Sequence, residues 1–528
     1  MSWGSVFASY VLQRRRMSHS RRKSLTAQGE DAAIIEAKGD RLASGSVFTF
    51  GSIIAGRLAT VLNSIIIIRV LGPNDYGVLA IIVLTIAVAN LFSSFQMPTA
   101  LVTFLAAAPV NNPRESNRLL GAGFVITAIS TAVTAAVLVI LAPILALSLY
   151  SDQRLHWLIL IALLGLVMSS LSSPLFATFQ GFERIKELGL RAATASILTV
   201  PSTFALVLSF GLQGAIMAGV VNSGIMILVN VNLLRRIWKS RSLKLEIPHD
   251  RAVYLKLLGF ALPALGSAIV VTPVMWFLNT WVAIHVSFAD LGQYSAGFGL
   301  SNYVMFIPAA VGVPLVPIIS RLAKGNRDEL PGFIVRTIRI GAFLTLIPTL
   351  ILTAMPEPFL RTLYGAAYGG AGSVVRFVSP AMYLAAITSI VGYGMAGTNQ
   401  MKGAMLLNVV WAIPVLIVSL IAVPIWQENG LAIGILCAYA IQLVAGLIFM
   451  RRSWSVDLKQ LVITLLIAGV CLPLAALMSL YAGWAKLFLA VLLALAASIA
   501  GLRNMSPREI EVLTQPLKKL LSRGQPRR

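Results

Sequence analysis

Charge is what this chain has least of. Only 12% of its 528 residues are charged, about half of what a soluble protein of that length uses to cover its surface. Acidic residues are the scarcer kind, 19 against 42 Lys and Arg. None of the 19 falls inside an apolar run; all lie in tails, loops or run edges. The two cysteines, Cys437 and Cys471, both sit in apolar runs, which excludes a disulfide framework or a zinc site. The histidines (His19, His156, His249, His285) are scattered and lack metal-ligand spacing. Nothing calls for a cofactor. The one G-x-G-x-x-G match, Gly392 to Gly397, lies in an apolar run with no strand before it, so it is no dinucleotide site.

What the chain has instead is apolar sequence, 58% of residues with a mean hydropathy of +0.85. Continuous runs of about 20 residues recur, the length that crosses a bilayer core as a helix. Barrel strands would alternate apolar and polar positions, and these runs do not. The expected fold is an all-α polytopic membrane protein. Fourteen spans are predicted, at 46–70, 76–97, 119–147, 155–179, 190–210, 212–234, 257–284, 292–318, 334–355, 376–396, 404–424, 430–450, 460–480 and 483–502.

With the N-terminus in the cytoplasm, Arg69, Arg154, Arg361, Arg376 and Lys486 fall outside and Arg57 falls within a span. All other basic residues lie on the cytoplasmic side. This is the positive-inside pattern, with both termini cytoplasmic. It accounts for the net charge of +23 without a nucleic-acid partner. Ser20 to Leu25 imitates a twin-arginine export signal, but polar sequence follows where an apolar segment is required. The expected organisation is a basic tail (1–45), a six-helix bundle (46–236), a basic cytoplasmic linker (237–256), a second six-helix bundle (257–452), two extra helices (453–502) and a basic tail (503–528).

The bundles echo one another at a shift near 216 residues. Asn63-Ser64 corresponds to Asn279-Thr280, Arg69 to His285, and Gly181 to Gly397. After a one-residue loss, Asp75-Tyr76-Gly77 corresponds to Asp290-Leu291-Gly292. Gly211-Leu212 is paired with Gly430-Leu431, and Arg235-Arg236 with Arg451-Arg452. Six spans per half is an even number, so the halves share one orientation. Their pseudo-two-fold axis runs along the membrane normal, an arrangement that suits alternating access around a central cavity.

Arg57 lies about 17 Å into a core about 30 Å thick, with no carboxylate in any span to neutralise it. It either faces a wet cavity or snorkels to an interface. Thr60, Asn63 and Ser64 extend it into a polar arc along the helix. The candidate substrate-binding set is Arg57, Thr60, Asn63, Ser64, Asn279 and Arg376. Arg69 and His285, at equivalent outer ends, are interfacial anchors or coupling groups. Pro263 and Pro273 in span seven are the candidate hinge. No catalytic or metal residue is expected.

The nonamer Arg69-Val70-Leu71-Gly72-Pro73-Asn74-Asp75-Tyr76-Gly77 resembles the R-x-LGP-x-DYG segment of the polysaccharide transporter (O-antigen flippase) branch of the multidrug/oligosaccharidyl-lipid/polysaccharide exporter superfamily. Gly181-Phe182-Glu183-Arg184 and the span count are similar too. The resemblance implies a flippase for undecaprenyl-diphosphate-linked oligosaccharide in a bacterial inner membrane. It would serve exopolysaccharide, capsule or O-antigen synthesis beside a polymerase and export machinery. A lipid II flippase, a cation-coupled multidrug exporter and a membrane polysaccharide polymerase or ligase are the alternatives. The exporter needs an embedded carboxylate. The polymerase needs ionisable groups on a sizeable outward loop, and the longest outward loop is 357–375.

Overall fold

The computed structural model describes residues 51, 55–108, 113–241, 246–325, 328–479, 492–493 and 496–497. Ten helices among them are long and apolar enough to cross a membrane. The first, α1 (Ala55–Ser94), has 40 residues and would be about 60 Å long if straight, twice the bilayer core. It is broken at Gly72, whose φ of 71° is open to glycine at no steric cost. It therefore holds two expected spans. A turn through Phe95 and Gln96 leads to α2 (Met97–Ala107), which falls between expected spans. Then come α3 (Pro113–Pro143) with a π-helical extension (Ile144–Leu149) and α4 (Arg154–Gly181). In α5 (Ile185–Arg241) a kink at Gly211 again separates two spans.

The second half opens with α6 (Arg251–His285), capped by Asp250, whose carboxylate accepts from the Ala252 N–H. Next is a broken span, α7 (Phe288–Asn302), a 3₁₀ turn (Tyr303–Met305) and α8 (Phe306–Gly325). Ser287 caps α7 by accepting from the Asp290 N–H. The chain continues through α9 (Leu330–Ala354), the short α10 (Pro356–Leu363), α11 (Ala371–Gly397), α12 (Met401–Trp426), α13 (Glu428–Trp454) and α14 (Lys459–Met478). Thirteen of the expected spans fall wholly or in part on these helices; the fourteenth, 483–502, lies almost wholly outside the described residues, and both tails, 1–45 and 503–528, lie outside them entirely. Helices α5 and α6 both extend into the stretch read as linker.

Large apolar side chains such as Ile140, Ile197, Leu228, Ile421 and Leu466 are exposed on the helix exteriors. That suits a hydrocarbon solvent, where only backbone polar groups must be satisfied internally.

The repeat is visible in the backbone. Gly211 and Gln427, 216 residues apart, share a rare conformation (φ 54°, ψ −126° and φ 52°, ψ −134°). Glu183 and Asn399, at the same shift, both have positive φ. A Cβ on Gly214 would meet the Leu206 carbonyl oxygen at 1.9 Å, and one on Gly430 the Ala422 carbonyl carbon at 2.4 Å, so each tight hairpin requires glycine there. The counterpart of Gly430 is therefore Gly214. The sequence pairing with Gly211 is three residues out.

The halves meet at both ends. At the end opposite the linker, a Cβ on Gly77 would lie 1.8 Å from the Phe288 carbonyl oxygen, and one on Gly292 1.8 Å from that of Pro73. This reciprocal contact puts the two matched D-x-G turns backbone to backbone. The largest buried cluster surrounds it, with Val78, Ile82, Leu278, Val282, Leu291 and Tyr294 drawn from both halves. At the linker end, residues 246–250 strap across α3, where a Cβ on Gly121 would meet the Glu246 carbonyl oxygen at 1.9 Å. A second joint cluster there contains Leu101, Leu105, Leu119, Leu257 and Ala261.

Candidate functional site

Arg57 is exposed on α1 and lies over the Phe306 ring of α8, 5.5 Å from its centre. It therefore stands at a junction between the halves. Cation–π contact offsets part of the cost of a charge at such depth. One turn away the Thr60 hydroxyl donates to the Gly56 carbonyl at 3.0 Å. Ser64 is half-buried on the same helix. The Asn63 amide donates to Thr199 of α5 at 3.4 Å, and its buried carbonyl oxygen lacks a partner. The polar arc on α1 is thus present, with its asparagine turned towards α5.

Asn279, its counterpart in α6, is buried and donates to the Met275 carbonyl at 2.7 Å. Its neighbour Thr280 bonds the Tyr150 hydroxyl of the first half at 2.7 Å. Arg69 donates to the Thr362 carbonyl at 3.3 Å, tying α1 to α10 across the halves. His285 packs on Trp281, ring centres 3.5 Å apart, with Nδ1 3.1 Å from the Trp281 carbonyl oxygen. Both residues sit at the end opposite the linker. There Arg154 donates to Asp152 at 2.9 Å and holds that carboxyl below its usual range. Helix α6 runs on through Pro263 and Pro273 without leaving helical geometry.

Arg376 is not brought to Arg57. It pairs with Glu357 of α10 and lines a trough of about 730 Å³ formed by α11, α13 and α14, whose other lining residues are nearly all apolar. Glu357 is an acidic residue bonded to a candidate; among the described residues every Asp and Glu lies in a loop, at a helix break or in a first helical turn.

Two arginines escaped the sequence reading. Arg339 is 2% exposed inside α9 and donates to Gln460 of α14. Arg191 donates to the buried Asn230 at 2.9 Å and stacks on Phe176 at 4.1 Å, while Asn230 donates to Ser172 at 2.8 Å. Both arginines lie near predicted span edges, where they counted among the cytoplasmic basic residues. Asn230 and Gln460, polar residues in or near apolar runs, were the available signal.

A profile described as Polysaccharide biosynthesis protein matches residues 66–373, more than half of the chain. The chain belongs to that family. The family is a polysaccharide transporter branch of the multidrug/oligosaccharidyl-lipid/polysaccharide exporter superfamily, as the nonamer suggested. The chain is 20% identical over 360 residues to the stage V sporulation protein B of Bacillus subtilis (strain 168), covering 64% of this chain and 69% of that protein. In fold it resembles the lipid II flippase MurJ in an inward closed conformation (TM-score 0.65, 14% identity, 90% of this chain and 99% of that one). It also resembles a multidrug resistance MATE family transporter in an inward-facing conformation (TM-score 0.65, 14% identity, 76% and 94%).

Proposed function

We propose that the protein is a flippase. It moves a polyprenyl-diphosphate-linked oligosaccharide from the cytoplasmic to the outer leaflet of a bacterial inner membrane, for surface polysaccharide synthesis. The linker end faces the cytoplasm in this reading, as the distribution of Lys and Arg requires. The observation that carries the proposal is Arg57: a cation between the halves, facing Phe306, among described helices that keep carboxylates at their ends and breaks. Such an interior attracts a diphosphate and offers nothing to a cationic drug. An inside-negative potential drives the anion outward, by about 2.3 kcal/mol per charge per 100 mV. The prenyl tail stays in the bilayer.

The test is Arg57→Ala in a strain lacking the wild-type gene. The variant should reach the membrane in normal amount yet leave lipid-linked units on the cytoplasmic leaflet, and Arg57→Lys should restore part of the flux. Full surface polysaccharide with Arg57→Ala would remove the arginine from the transport path.

A further inference from the structure

At the linker end the halves meet in two layers. One is apolar: Phe104 of α2 packs edge-on against Phe260 of α6, ring centres 5.7 Å apart, beside Leu101, Leu119 and Leu257. The other is ionic: Arg118 of α3 reaches Asp250 at 3.2 Å, and Lys256 of α6 reaches Glu115 at 3.5 Å. The Ala252 N–H, then Arg118, hold the Asp250 carboxyl below its usual range. A cavity of about 340 Å³ opens between the layers, lined by Arg114, Glu115, Arg118, Leu119, Val253 and Lys256.

Three of its four charged lining residues are cations, and Lys256 also sits 5.0 Å over the Phe104 ring. Helices of 31 and 35 residues, α3 and α6, begin here, so their first-turn N–H dipoles add positive potential to the guanidinium and ammonium groups. The ion pairs are exposed and individually weak, so a multivalent anion can replace the carboxylate at Arg118 or at Lys256. A free anion would leave the apolar floor unused. An anionic lipid uses both parts, its phosphate on the cationic rim and the first methylenes of its acyl chains against Leu119 and Val253.

We infer that this cavity binds the phosphate of an anionic glycerophospholipid, and that the lipid fastens the first half to the second at the linker end. The rim belongs to α3 on one side and α6 on the other, so one headgroup bridges them. Leaflet composition then sets how readily the linker end opens, whatever substrate is carried.

The full chain is reconstituted in phosphatidylcholine nanodiscs with or without phosphatidylglycerol, and retained lipid is counted by native mass spectrometry. Retained phosphatidylglycerol should fall about five-fold for each of Arg114→Gln and Lys256→Gln. It should hold steady in Arg451→Gln, an exposed cation elsewhere on the same face. Arg114 is exposed, so its replacement leaves the packing intact. Equal losses in all three variants would mean diffuse surface attraction and overturn the site. Displacement of the lipid by inorganic phosphate would make the ligand a soluble anion and overturn the lipid assignment.

Discussion

Arg57, Arg191 and Arg339 each place a guanidinium inside a helix, and each meets the cost differently. Arg57 stays exposed between the halves with an aromatic face beside it. Arg191 is half-buried and shares its charge with an asparagine and a phenylalanine ring. Arg339 is buried and held by Gln460, 121 residues away. A hydrogen bond to a charged group contributes about 1.5–3 kcal/mol, and truncating the side chain also leaves a void. Arg339→Ala should therefore destabilise the protein by about 3 kcal/mol, read as a lowered unfolding temperature in detergent. Arg339→Lys, which keeps the charge but loses the planar fork, should fall between. An unchanged transition in Arg339→Ala would show that the α9–α14 bond carries no stability. Arg57 was legible in the sequence because it stands alone in an apolar run. Arg339 was not, because its partner is distant and an arginine near a span edge counts with the cytoplasmic basic residues.

The elements that close the end opposite the linker depend on two glycines at matched positions. Gly77 and Gly292 each leave no room for a methyl group, because the obstacle is the backbone of the other half. Gly77→Ala or Gly292→Ala should force that end apart and abolish transport while the protein remains folded. A thiol reagent should then label a cysteine placed at Tyr150 in the glycine variant and not in its parent. Gly392→Ala is the control: nothing lies within 4 Å of a Cβ there, and replacing a helical glycine gains up to about 1 kcal/mol. Normal transport by Gly77→Ala would show that the turns need not touch during the cycle. The sequence revealed the repeat because both halves need the same backbone at the same offset. It misplaced Gly211 because two glycines three residues apart compete for one role, and the positive φ of Gln427 together with the close backbone at Gly214 and Gly430 decides between them. The break at Phe95 and Gln96 was invisible, since neither residue type favours positive φ; Pro98, in the first turn of α2, was the faint clue.

At the scale of the whole molecule, two bundles in the same orientation touch at both ends, but with different kinds of contact. Opposite the linker, glycines and a large apolar cluster bring backbone against backbone. Dense packing of that sort has a few discrete arrangements and resists gradual deformation. At the linker end, exposed ion pairs and a cavity intervene, which leaves that end the easier one to separate. In the proposed flippase cycle, substrate enters from the linker side and leaves only after the glycine contact parts. Tyr76 of the first half and Tyr368 of the second stand edge to face across this contact, ring centres 6.3 Å apart. With Cys437 and Cys471 replaced, Tyr76→Cys together with Tyr368→Cys should be joined by a short reducible bifunctional thiol reagent. Joining them should stop transport, and cleaving the reagent should restore it. Either single cysteine, treated alike, should transport at an unchanged rate. Continued flux through the joined protein would mean that the substrate passes without separation of the halves at this end, and rocking of the bundles would then fail as the mechanism.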